Sequence, residues 1–312
     1  MTEEQKKKLE QQLWNIANEL RGKMDADEFR DYILGFIFYK YLSEKQYLYA
    51  NDLLQTEEVK DYALVTDEAD ISAIRDESLN KLGYFLRPQE LFSAISKKGN
   101  ADTVGKSNFI LEDLQTILNA IEQSTMGTDS EDDFNKLFED LDLDSTKLGR
   151  SPDARNELIA KVLAHLDKID FELGKADSDV LGDAYEYLIG QFASGAGKKA
   201  GEFYTPQQVS KILAKLVTFD KSKIKSAYDP ACGSGSLLLR IAKEADVANF
   251  CGQELNRTTY NLARMNMILH DVHFSRFDIR QDDTLEDPYH VCLLYTSPSP
   301  RDLSTSRMPS SA

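Results

Sequence analysis

A chain of 312 residues, 41% hydrophobic and 29% charged, has the composition of an ordinary soluble globular protein with room for two domains. No apolar run approaches the ~18 residues of a membrane helix, and the charged N-terminus has no apolar stretch behind it, which excludes a secretory signal of the usual pattern. No membrane association and a cytoplasmic location are the expectation. The net charge of −16 argues against a protein that grips DNA unaided, because phosphate binding draws on Lys and Arg. The three cysteines, Cys232, Cys251 and Cys292, form no CxxC pair, so they are expected to be reduced and mostly buried, with no metal site.

The first ~170 residues read as helices separated by polar loops. Thr2 with Gln5 forms a capping box, followed by Leu9, Leu13, Ile16 and Leu20 at helical spacing. Asp25 with Glu28 opens a second helix, whose aromatic stripe of Phe29, Tyr32, Ile33, Phe36 and Ile37 is expected to be core. Residues 62–108 read only as mixed helix and loop, and 109–123 as an amphipathic helix. The acidic stretch 129–144 spaces Asp140, Asp142 and Asp144 like a calcium loop, but Ser145 and Ser151 stand where that loop needs Gly and Glu. A solvated acidic face is the reading there. Ser151 followed by Pro152 starts a helix to about 169, and another runs over about 180–193. From Lys223 onward short apolar strands alternate with helices, the pattern of a parallel α/β sheet, placing the domain boundary near 150–175. The last twenty residues, rich in Ser and Pro, show no periodicity and resemble read-through or an assembly error more than a natural domain end.

Four features carry chemistry. Asp229-Pro-Ala-Cys-Gly233-Ser234-Gly235-Ser236 lies between a strand at about 225–228 and a helix starting near Ser236. Its glycines permit a tight turn and close backbone approach, and the helix start offers free N–H groups, so this is a ligand loop at the carboxyl end of a strand. It is not a dinucleotide fingerprint, because Leu238 occupies the third glycine position, nor a P-loop. Glu254 ends the next strand, about 247–253, nineteen positions beyond Gly235, where a carboxylate can accept ribose hydroxyls. Upstream, in Gly201-Glu202-Phe203-Tyr204-Thr205-Pro206, Thr205 reads as a helix cap with Gln208 three residues on and Pro206 at the first helical position. A well-made helix start explains Thr205 and Pro206 but not the aromatic pair before them. Finally, Asp282-Asp283 follows a strand at about 277–280, where a carboxylate could accept an adenine amino group, although an ordinary polar loop fits as well.

Together these residues resemble the DNA amino-methyltransferase family, and more narrowly the modification subunit of type I restriction–modification systems. The order is that of the family's gamma class: helical region, Phe-Tyr-Thr-Pro element, then Asp-Pro-Ala-Cys-Gly-Ser-Gly, over about residues 1–290. The resemblance implies an α/β fold: a helical N-terminal domain (1–150), an incomplete Rossmann-like, S-adenosylmethionine-dependent methyltransferase sheet (151–292) and the Ser/Pro tail (293–312). It implies that Glu202, Phe203, Tyr204, Thr205, Pro206 and Gln207 close over the methionine end of S-adenosylmethionine. Asp229, Gly233, Ser234, Gly235 and Ser236 would hold the same cofactor, Glu254 would bind its ribose, and Asp283 would lie near its adenine amino group. It implies transfer of a methyl group to adenine N6 in double-stranded DNA, with specificity and restriction subunits as partners.

The sequence departs from this family in one respect. The catalytic Asn/Asp/Ser-Pro-Pro-Tyr/Phe string is absent: Asp287-Pro-Tyr lacks the second proline and follows Asp283 too closely for an intervening strand. The chain is therefore expected to hold no catalytic residues, to be inactive alone, and to bind cofactor weakly because its sheet presents an unpaired apolar edge. The alternatives are a methyltransferase acting on protein or RNA, and a non-catalytic interaction module whose glycine loop is structural.

Overall fold

The computed structural model describes residues 3–20, 26–57, 59–100, 108–171, 173, 180–195 and 205–290. Among the described residues, eight α-helices lie before residue 200: α1 (Glu3–Leu20), α2 (Ala26–Leu53), α3 (Glu68–Lys81), α4 (Phe92–Asn100), α5 (Leu111–Ser124), α6 (Glu131–Phe134), α7 (Pro152–Asp167) and α8 (Val180–Gly195). The two capping-box starts at Thr2 and Asp25 lie outside the described residues. The stripe on α2 is core as expected, but α2 is buried on every side from Leu34 to Leu42, not on one face. Its neighbours α1, α3, α4, α7, α8 and the helix Arg257–Leu269 surround it, which suits a helix hydrophobic all round. The stretch that reads as mixed helix and loop contains α3, capped by the Asp67 carboxylate on Ala69 N and Asp70 N, and α4. α7 begins as expected: Ser151 Oγ accepts from Ala154 N at 3.2 Å with Pro152 in the first turn.

The α/β part runs α9 (Gln207–Val217), β1 (Lys223–Asp229), α10 (Ser236–Ala242), β2 (Asp246–Glu254), α11 (Arg257–Leu269) and β3 (Phe277–Gln281). The strands form a parallel sheet in the order β1-β2-β3, with Asp229 opposite Gly252 and Glu254 opposite Gln281. The carboxyl ends of all three strands therefore share one edge, where open parallel sheets bind ligands. α9 packs against α10 and leaves Val209, Ile212, Leu213, Leu216 and Val217 at the surface, with Phe219 exposed just beyond its end. α9 thus carries a run of exposed apolar side chains, whereas β1 exposes Lys223 and Lys225.

One hydrophobic cluster runs through both parts, from Leu13 and Phe36 to Phe250, Met267 and Ile279. The polar contacts between the parts correct the reading of 129–144 as a solvated face. Asp140 accepts from Thr258 Oγ1 and Asn261 Nδ2, Glu139 pairs with Arg257, and the fully buried Arg264 guanidinium donates to the Asp132 and Asn135 carbonyls. Acidic side chains here are consumed by α11, a partner whose position local sequence does not reveal.

Asp133 sits within this interface, and burial pushes its carboxyl up to about 7, with Arg264 pulling in the opposite direction. The unfolded chain would lose this proton near pH 4 while the folded protein holds it, so stability falls as pH rises from about 4 to about 7. Asp133→Asn is expected to remove that slope. Urea unfolding should find the variant more stable than the parent at pH 8 by about 4 kcal/mol, with the difference vanishing at pH 4. A parent-like slope in the variant would show that Asp133 does not titrate this way.

Candidate functional site

The turn after β1 needs its glycines. Gly233 and Gly235 have φ of 56° and 78°, left-handed values that an L side chain adopts only under strain. Gly235 is the residue from which α10 departs. The Asp229 carboxylate accepts from Ala231 N at 3.1 Å and closes the first bend. The loop is then fastened to β2: Cys232 N donates to Gln253 O at 3.0 Å, and Gly233 N donates to Glu254 Oε2 at 3.0 Å. The second Glu254 oxygen accepts from Asn256 N at 2.9 Å, so this 8%-exposed carboxylate is held at both ends by backbone. Gly252 permits the close approach, because a Cβ there would lie 2.9 Å from Cys232 Sγ and 2.7 Å from Ile279 Cδ1. From the other side, Asn266 Nδ2 on α11 donates to Ser234 O at 2.9 Å.

The segment after β3 folds back onto this loop. Thr284 Oγ1 donates to Pro230 O, and Asp287 N and Glu286 N both reach Asp283 O, making a compact turn. The Asp283 carboxylate is half-buried and accepts from Leu285 N at 2.8 Å through Oδ1. The Tyr228 and His290 rings meet edge-on, 5.1 Å between centroids. The glycine loop, Glu254 and the Asp283 turn are thus linked side by side at one sheet edge.

Electrostatics bear on what this edge can do. Burial raises the Asp229 carboxyl from its ordinary value, opposed by the Ala231 N–H. Burial, with Asp229 and Glu254 nearby, pushes the Cys232 thiol far up, which leaves it a protonated packing residue and no nucleophile. Cys232 and Cys251 are both free, and Cys292 lies outside the described residues. Among the described residues no three His, Cys, Asp or Glu side chains are grouped to hold a metal.

Glu202, Phe203 and Tyr204 lie outside the described residues. Thr205 does not cap α9 and Pro206 does not occupy its first turn, as the sequence suggests. The helix starts at Gln207, with Pro206 in the cap position at φ −53°, ψ 136° and no side-chain cap. That extended ψ keeps Pro206 out of the helix, and its carbonyl accepts from Val209 N and Ser210 N. Sequence reasoning also passed over Asn266 and Gln253. Both side chains are fully buried, and an asparagine among the apolar residues 265–269 was the one signal available.

Two protein families match this chain: the HsdM N-terminal domain over residues 9–166 and the N-6 DNA methylase family over residues 176–299. A type I restriction enzyme MpnII methylase subunit from Mycoplasma pneumoniae is 38% identical over 296 residues, covering 90% of this chain and 53% of the relative. The MjaVIII methylase subunit from Methanocaldococcus jannaschii is 32% identical, covering 85% of this chain and 43% of that relative. The crystal structure of a type I restriction–modification methyltransferase subunit from Streptococcus thermophilus superposes with a TM-score of 0.77 at 37% identity, over 95% of this chain and 61% of that one. The chain spans about half the length of the curated relatives it matches. With an HsdM-type helical region followed by an N-6 DNA methylase sheet, it belongs to the family of type I restriction–modification methylase subunits.

Proposed function

We propose that the whole subunit carrying this chain transfers a methyl group from S-adenosylmethionine to N6 of adenine in double-stranded DNA in the cytoplasm. A specificity subunit would choose the sequence, and a restriction subunit would act on unmodified DNA. The observation that carries this reading is the convergence of Gly233–Gly235, Glu254 and the Asp283 turn at the carboxyl ends of β1, β2 and β3. In this reading Glu254, fixed by Gly233 N and Asn256 N, offers its remaining lone pairs to the ribose hydroxyls. Asp283, with Oδ1 committed to Leu285 N, keeps Oδ2 for the adenine amino group. With no Cβ at Gly233 or Gly235, the turn lets the methionine end approach its backbone, and residues 202–207 would close over it. When bound, S-adenosylmethionine supplies the electrophilic methyl sulfonium. A net charge of −16 accords with a subunit that leaves much of the DNA contact to a partner.

The string Asn/Asp/Ser-Pro-Pro-Tyr/Phe, which in this family receives the flipped base, does not occur in these 312 residues. Label transfer from a tritiated donor to an adenine-containing duplex, with the specificity subunit present, tests the reading. The whole subunit should label adenine, and the 312-residue chain should give no turnover. Label on cytosine or on protein would refute the proposed substrate, and turnover by the short chain would refute its proposed lack of catalytic residues.

A further inference from the structure

β2 ends in two side chains with different tasks. Glu254 engages the glycine loop, whereas Gln253, fully buried, does not touch that loop through its side chain. The Gln253 amide instead spends its donor and its acceptor on one stretch of backbone. Nε2 donates to Asp287 O at 2.8 Å, and Oε1 accepts from Tyr289 N at 3.1 Å. A residue of a parallel strand bonds its neighbour in this way, taking the carbonyl before and the N–H after one opposing residue. The opposing residue here is Pro288, which has no N–H to leave unpaired. The side chain thus acts as a one-residue strand for a segment that belongs to no strand.

The connection runs on to Asp283. Asp287, held through its carbonyl by Gln253, donates its own N–H to Asp283 O at 2.7 Å. Gln253 O meanwhile accepts from Cys232 N in the glycine loop. One residue therefore ties the loop after β1 to the turn after β3, alongside the bond from Thr284 Oγ1 to Pro230 O, made by a half-buried side chain.

We propose that Gln253 is a positioning residue that fixes the Asp283 carboxylate for recognition of the purine 6-amino group, and so sets the site's preference for adenine over a 6-oxo purine. This rests on the reading of the site as an S-adenosylmethionine pocket. A 6-oxo purine presents an acceptor to Asp283 where adenine presents a donor, and a displaced carboxylate loses the distinction. Gln253→Leu removes both bonds at similar volume. Gln253→Glu keeps the acceptor for Tyr289 N but loses the donor to Asp287 O.

The test is calorimetric titration of the whole subunit with S-adenosylhomocysteine and with its inosine analogue, S-inosylhomocysteine. The parent should favour the adenosine form by about 100-fold, the value of one well-made polar contact of ~3 kcal/mol. Q253L should reduce that ratio to within about threefold of unity, mainly by weakening the adenosine form, and Q253E should fall between. Asp283→Asn should abolish the preference, and combining it with Q253L should change the ratio no further, because the two act through one contact. A parallel loss of both affinities at constant ratio would make Gln253 mere packing support and overturn the proposal. If Q253L does not fold, Q253E with an unchanged ratio overturns it equally. A parent that binds neither ligand removes the cofactor reading itself, and a parent that binds both without preference removes the role of Asp283 alone; the proposal falls in either case.

Discussion

Gly235→Asp is expected to weaken S-adenosylmethionine binding about 100-fold while leaving the helical region folded. At φ 78° any L side chain is strained by about 1–2 kcal/mol. A Cβ there would also stand 3.2 Å from Met267 Cε, a flexible end that can give way at small cost. The added carboxylate enters a loop already bordered by Asp229 and Glu254, and like charges in a half-buried site add a further ~1–2 kcal/mol. About 3 kcal/mol in total corresponds to roughly two orders of magnitude in Kd. Gly235→Ala carries the strain without the charge and should lose about tenfold. Titration calorimetry on the whole subunit measures both, with circular dichroism to confirm that the helices persist. Unchanged affinity in the Asp variant would mean that the turn does not contact the ligand.

The second large effect is structural. Arg264→Met is expected to destabilise the fold by about 3–5 kcal/mol, because it removes one half of a buried polar arrangement and strands the other. The guanidinium, 1% exposed, donates to Asp132 O at 2.7 Å, Asn135 O at 3.1 Å and Asn261 Oδ1 at 2.6 Å, and stacks 4.2 Å from the Tyr260 ring. Burial lowers its pKa, while Asp133 and Glu139 support the charge. Urea unfolding should show a lower midpoint with an unchanged slope. Adding Asp133→Asn to the Met variant should recover part of the loss, because Asp133 would otherwise remain buried without its cation. A loss below about 1 kcal/mol would show that water or neighbouring groups satisfy the two carbonyls once Arg264 is gone.

Much of this was legible in the sequence for reasons that are local. Ser151-Pro152 is a helix start whatever surrounds it, and the structure begins α7 there. The three strands were legible because short apolar runs alternate with helical ones, although each extends one or two residues beyond its apolar part, where pairing with a neighbour continues. The glycine loop and Glu254 were legible because turn chemistry and spacing are written in consecutive residues. What was not legible depends on partners distant in sequence. Glu139 and Asp140 look like solvated acids until α11 is placed against them. Gln253 looks like any strand glutamine until 287–289 folds over it. The start of α9 was misplaced by one residue because Thr205-Pro206 satisfies the local rule for a cap, and only the backbone dihedral decides which of the two serves.

The double engagement of Glu254 has a consequence for molecular selectivity. Its negative charge is neutralised in part by two main-chain amides before any sugar arrives, so the carboxylate neither swings nor waits for a partner. A nucleoside missing one hydroxyl would therefore strand no naked anion in the pocket. If the site holds the donor as proposed, discrimination at the sugar should be gentle, with the steep choice among ligands left to the base and to the amino-acid end.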